Sequence, residues 1–319
     1  MSPVIQTYIK GSPALDPVFV TLRQENFDSA KSWVQVSNAI FGKTTRKVGP
    51  FRIHALTPAL GWEIRPWTTA PQLDDRTLEA LLGSLNSRSD WDMCQINCLS
   101  EDEVRSFGKS LARSRNRMSA LPFPVRVLPG AMSYQNYLTG RGASANRTQR
   151  RYLRSAEKAG FVFREGIVWA DIERVLDVRA AGFTNGSDYT QCPRFRKFFK
   201  AFIEELRAAN RLLAVGMYQG ATLVGYTLGF WNDGVLHCYQ TAYDPSFAGH
   251  RPGSLTIEKT IERALDAGVQ VIDFMGDHSY LAFYSKDVLP LQRIVFFANT
   301  LKGRFLATTF HLRNSSLNS

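Results

Sequence analysis

Apolar positions three and four apart recur along this chain and alternate with short runs in which most residues are apolar or β-branched. In "DDRTLEALLGSLN" (74–86) residues 78, 81, 82 and 85 fall on one helical face. "WDMCQINCL" (91–99) reads as a strand. Ser100 followed by Glu103 is a capping-box signature, each side chain satisfying the other's backbone N–H, and it opens a helix to about residue 113. "FPVRVLP" (123–129) is another strand. The stretch "PGAMSYQNYLTGRGASANR" (129–147) is rich in Gly, Ser and Asn, and the border between two halves, 1–140 and 141–319, is placed near it.

The second half opens with a basic helix, "RTQRRYLRSAEKAG" (147–160), then a strand, "FVFRE", and helices "WADIERVLDVRAAGF" (169–183) and "PRFRKFFKAFIEELRAAN" (193–210). Three strand-like runs follow, "RLLAVGMY", "ATLVGYTLGFW" and "GVLHCYQTAY", separated by the hairpin-type turns "QG" and "NDG". An antiparallel meander over 211–243 is expected. The loop "DPSFAGHRPG" then leads into a helix over 254–267 that Gly268 ends. "VQVIDFM" is a short buried strand, and a helical connection favours its pairing parallel to the strand before the helix.

Composition narrows the function classes. With 44% hydrophobic and 21% charged residues the chain is an ordinary globular protein. No apolar run reaches the roughly 20 residues of a membrane span. The first residues lack the basic, apolar and small-residue order of an export signal, which points to the cytoplasm. Cys94, Cys98, Cys192 and Cys238 do not form two ligand pairs, and no H-E-x-x-H motif occurs, so no metal site is expected. A G-x-S-x-G elbow is also absent. The formal net charge of +11 is concentrated between Arg105 and Arg164. Such a run is a solvated face or a surface for an anionic partner.

The order of helices, antiparallel meander, glycine corner, helix and parallel strand resembles the core of GNAT acyltransferases. "AYDPSFAGHRPGSLTIEKTIERALDAGVQVIDFMGDHSYLAFYSK" resembles the C-terminal block of their BioF2-like, cellulose-biosynthesis-type branch, a relative of the Fem-type aminoacyl transferases. The resemblance covers about residues 145–290. It implies an α/β mixed-sheet fold of two tandem GNAT-like halves, the second better preserved. It further implies an N-acyltransferase moving an acyl group from acyl-coenzyme A to an amine or hydroxyl of a polar or anionic small-molecule, glycan or peptide acceptor.

In that pattern the corner after the fourth strand holds the coenzyme's pyrophosphate, because a helix N-terminus offers unpaired N–H groups and the positive end of a dipole. The matching positions are Gly249, His250, Arg251, Gly253, Ser254 and Leu255, although the second glycine of common GNAT loops is replaced by Ser254-Leu255. Tyr280 falls on the Tyr of a "GD-x-x-YK" motif whose Lys is replaced by Leu281; a phenol there protonates the leaving group or orients the acceptor. Asp273, Asp277 and His278 complete the candidate catalytic set, His278 having the intrinsic pKa of a base. Two alternatives accompany this reading. One is a Fem-type transferase using aminoacyl-tRNA, with the basic stretch 141–164 serving RNA. The other is a non-catalytic GNAT-like subunit of a polysaccharide or envelope assembly.

Overall fold

The structure, a computed structural model, describes residues 33–36, 39–48, 51–58, 75–181, 190 and 192–315. The N-terminal stretch read for an export signal and the end of the helix read to Phe183 lie outside the described residues. The first elements are strands β1 (Trp33–Val36), β2 (Ala39–Val48) and β3 (Phe51–Pro58), helix α1 (Asp75–Asn86), β4 (Met93–Leu99), α2 (Glu101–Arg113) and β5 (Arg117–Pro122). Next come β6 (Val125–Pro129), α3 (Tyr134–Arg141), α4 (Ala143–Lys158), β7 (Phe161–Glu165), α5 (Trp169–Ala181) and α6 (Pro193–Ala208). The meander is β8 (Leu212–Gln219), β9 (Thr222–Asn232) and β10 (Val235–Tyr243), followed by α7 (Pro252–Asp266) and β11 (Val271–Asp273). The chain closes with β12 (Val288–Leu289), β13 (Gln292–Phe297) and α8 (Leu301–Ser315).

Two compact units divide the chain. One takes residues 126–289; the other takes the described residues before 126 together with those after 289. The sheet of the first runs β12-β6-β11-β10-β9-β8-β7. Strands β7 to β10 are antiparallel neighbours, β10 and β11 are parallel, and β6 returns antiparallel to β11. Helix α7 makes the crossover that parallel pairing of β10 and β11 requires. Its buried stripe of Ile257, Ile261, Ala264 and Leu265 packs with Leu236 and Ile272. Phe199 and Phe202 of α6 lie against Phe230 and Tyr239.

The second unit has the sheet order β1-β2-β3-β4-β13-β5. Here too an antiparallel meander is followed by a helix and a strand parallel to the last of the meander, β4 beside β3. Leu78, Leu81, Leu82 and Leu85 of α1 are buried with Phe107, Leu111, Ile294 and Phe296. Ser100 and Glu103 make the reciprocal bonds of a capping box at α2. Cys94 and Cys98 are both buried. In each sheet the strand after the parallel one comes from the far side of the chain, β6 in the first unit and β13 in the second.

The Gly-, Ser- and Asn-rich residues 129–147 hold α3, which the sequence pattern did not announce, and the start of α4, separated by Gly142 at φ 96°. Ser133 caps α3 by accepting from the Asn136 N–H. The helix has little apolar pattern because its anchors are polar or aromatic: Tyr137 is buried, and Arg141 is bonded to Glu258 of α7. Tertiary ion pairing of this kind leaves no local period to read.

Candidate functional site

The segment between β10 and α7 is built as a corner. Asp244 Oδ1 accepts from the Ser246 N–H at 3.0 Å and its hydroxyl at 2.6 Å, while Arg174 donates to Oδ2. Burial works against the Asp244 charge, but these hydrogen bonds outweigh it and hold the carboxyl below its ordinary range. A 3₁₀ turn over Pro245–His250 follows. Arg251 then adopts left-handed backbone, φ 53° and ψ 47°, and turns the chain into α7. No side chain caps α7 and Pro252 has no N–H, so the first-turn donors are the backbone N–H groups of Gly253 and Ser254.

Close approach explains two glycines. A Cβ on Gly253 would stand 3.2 Å from Tyr243 Cδ1, and one on Gly225 would stand 2.7 Å from Pro252 Cβ. Threonines tie the same turn to the sheet: Thr227 bonds both Thr241 and Thr256, and Thr256 donates to the Gly253 carbonyl. The N-terminus of α7 is thereby fixed against β9 and β10.

The other sequence-derived corner residues are placed as follows. Gly249 has open space where a Cβ would be. The His250 ring lies 4.7 Å from that of Phe161, and the Arg251 guanidinium lies 4.3 Å over the Tyr152 ring. Leu255 is buried with Ala156, Phe161, Met217 and Val224. Its N–H is taken by the Arg251 carbonyl.

Beside the corner the sheet opens. Strands β10 and β11 pair only over Val235–Val271, Leu236–Ile272 and His237–Asp273. Past this point β10 carries a bulge between Cys238 and Gln240, Tyr239 being the extra residue, and β11 ends. His237 Nδ1 and Asp273 Oδ2 are 2.8 Å apart, with side chains 0% and 1% exposed. Asp273 Oδ1 accepts from the Met275 N–H, and Met275 at φ 54° bends the chain after β11.

The loop after that bend holds the remaining candidates. Asp277 is gripped by Arg126 of β6 at 2.6 Å, and Arg126 also donates to the Ser285 carbonyl. His278 is exposed and stacks on Tyr280, ring centroids 5.9 Å apart and nearly parallel. Tyr280 is 57% exposed. Its phenol pKa is raised, by burial first and by neighbouring Cys238 second. Burial and Asp273 push the Cys238 thiol up in turn, so it stays neutral. Lys286 is exposed. Tyr284, which sequence reasoning passed over, is buried and donates to the Ser254 carbonyl at 3.1 Å. It joins the Tyr280 loop to the corner. The signal was present, since "FYSK" places a Tyr two residues before a Lys.

The basic run divides in two. Arg105 and Arg113 pair with acidic neighbours on exposed surface. On α4, Arg147, Arg150, Arg151, Arg154 and Lys158 line one open groove of about 780 Å³. Among the described residues no group of three or more His, Cys, Asp or Glu side chains is placed to hold a metal ion. No helix among them is long and apolar enough to cross a membrane.

Residues 143–284 match the family model described as the acetyltransferase (GNAT) domain. No curated protein matches the chain in sequence. Among solved structures, FemX is similar with a TM-score of 0.61 and 10% identity, over 96% of this chain and 99% of FemX. A conserved protein of unknown function from Bacteroides thetaiotaomicron gives 0.57 at 13% identity, over 92% of this chain and 95% of its own. The C-terminal domain of a candidate lysylphosphatidylglycerol synthetase from Agrobacterium fabrum gives 0.56 at 10% identity, over 97% and 93%. At these identities the likeness is one of fold. The chain is a mixed α/β protein whose residues 143–284 match the acetyltransferase (GNAT) domain model, on a fold similar to that of FemX.

Proposed function

We propose that residues 143–284 bind an acyl-coenzyme A and transfer its acyl group to an amine or hydroxyl of a polar acceptor. The observation that carries this reading is the uncapped first turn of α7, whose Gly253 and Ser254 N–H groups open beside β10 where β11 has parted from it. Backbone donors at a helix N-terminus suit a pyrophosphate. The match of the same residues to an acetyltransferase domain supports the reading. When bound, the coenzyme supplies a thioester carbonyl activated toward a nucleophile.

The chain's own residues divide the remaining work. Gly253 and Ser254 hold the anion, and the open side at Gly249 leaves room for it. Arg251, stacked over Tyr152, adds positive charge at the rim, His250 lies against Phe161, and Leu255 anchors the turn in the core. Tyr280, kept protonated, donates from its Oη to the departing sulfur. His278, exposed and stacked on Tyr280, takes the proton of the attacking amine or hydroxyl. Asp273 and Asp277 are positioning residues: one fixes the bend through His237 and Met275, the other the loop through Arg126. Calorimetric titration of the full chain with acetyl-, longer acyl- and desulfo-coenzyme A tests this. Binding that weakens at least ten-fold in Gly253→Val is expected. A folded protein that binds none of them overturns the proposal.

The arginine groove on α4 favours a second reading, transfer from aminoacyl-tRNA. Filter binding across a salt series separates the two, because each phosphate contact steepens the fall of affinity with salt, by about 0.7–0.9 in the log–log slope.

A further inference from the structure

A cavity of about 180 Å³ lies among α3, α4 and α7, with Leu255 of the uncapped turn on its wall. Its polar wall centres on Arg141, whose side chain is 5% exposed. The Arg141 guanidinium stands 5.0 Å from the Tyr137 ring centroid and 5.1 Å from that of Phe283. Nε donates to Asn146, and Nη1 donates to Tyr137 and Glu258. Nη2 is buried and has no hydrogen-bond partner in the protein; the same holds for Nε2 of Gln149, a residue only 6% exposed. Both side chains line the cavity.

These two atoms are pure donors and accept nothing, so what satisfies them must present oxygen lone pairs. The charges on the wall settle which kind. Glu258 is spent on Tyr134 and Arg141, and Glu262 is paired with Lys259 at 2.6 Å. Burial, then Glu258, raises the Tyr134 pKa, so its phenol remains a donor to Glu258. Among the described residues on this wall, Arg150, exposed at the rim, is the cation without a described acidic partner, and it also lines the groove on α4. The cavity is several times the ~30 Å³ that one water occupies in the liquid, leaving room for a carboxylate or phosphate group.

We propose that this cavity is a binding site for a small oxyanion, a carboxylate or phosphate group, held by Arg141 Nη2, Gln149 Nε2 and Arg150. The groove on α4, which shares Leu138, Asn146 and Arg150 with the cavity, is its approach. The site does not depend on the acyl-transfer reading.

The test is melting of the full chain in rising sodium phosphate or sodium acetate, ionic strength held constant with sodium chloride. A saturable rise in melting temperature is expected with one or both anions, and which anion gives it identifies the group. Gln149→Leu, which removes one donor at similar volume, should weaken that response at least ten-fold. Gln149→Glu sets a carboxylate beside Arg141 and should melt higher without added anion while no longer responding. The groove variant Arg147→Gln/Arg154→Gln should keep the response. No saturable rise in the wild type overturns the site. So does an undiminished response in both Gln149 variants, or one lost only in the groove variant.

Discussion

Tyr280 keeps its proton because burial and Cys238 raise its pKa above the ordinary 10.0. Its acid form therefore predominates at every pH below that value. Tyr280→Phe should lower kcat by about 10²–10⁴ while leaving KM within a few-fold. In steady-state acyl transfer, the wild-type kcat–pH profile should show no alkaline limb from Tyr280 below 10.0. The buried His237–Asp273 pair makes a different prediction. Asp273→Ala removes the buried bond to His237 and the acceptor for the Met275 N–H, and should cost about 1–3 kcal/mol in urea unfolding. Asp244 carries a pH dependence of known sign. Its pKa is depressed below 3.8 in the fold, so its contribution is complete above 3.8 and disappears as pH falls through the lower folded value. The deficit of Asp244→Ala at pH 7, read from urea midpoints, should shrink below pH 3.8. The sequence shows the corner because glycine, proline and helix period are local signals. It does not show that Arg126 grips Asp277, or that Arg251 stacks on Tyr152. Those partners lie far apart in the chain and meet only once strand register is set.

Helix α4 carries five cations three and four residues apart, Arg147, Arg150, Arg151, Arg154 and Lys158, with Glu157 its one acidic residue. Like charges at that spacing destabilise a helix by about 0.2–0.5 kcal/mol per pair. Changing Arg147 and Arg154 to Gln should therefore raise the melting temperature slightly at low salt. The same change should flatten the salt dependence of tRNA retention on filters, if the groove serves RNA. A stripe that costs the helix stability and lowers no polyanion affinity when removed would count as a solvated face. The meander β8–β10 and the parallel strand β11 were legible because each element carries its own period and its own turn residues. Helix α3 was not, since its hold is the Arg141–Glu258 pair on another element.

At the level of the whole chain, the two sheets repeat one succession of meander, helix and parallel strand. Each then borrows its next strand from across the sequence. β13 sits between β4 and β5, paired to both. A chain ending at residue 289 should thus lose hydrogen-exchange protection across β4 and β5 while β8 to β10 keep theirs. A fragment starting at residue 141, the border suggested by residue composition, lacks β6 and leaves β11 unpaired on that side. The charge run and the polar spacing around residue 140 mark a change of surface, and that change does not coincide with the division of contacts at 125 and 289.

The placement of β13 also orders events at the ribosome. Strands β4 and β5 leave the tunnel about 170 residues before the strand that lies between them. At about 5–20 residues per second that interval is on the order of ten to thirty seconds. During it, two β edges rich in apolar residues wait without their partner, the condition under which nascent chains recruit chaperones or aggregate. The sheet that holds β4 and β5 cannot close until every strand of the other sheet has been made.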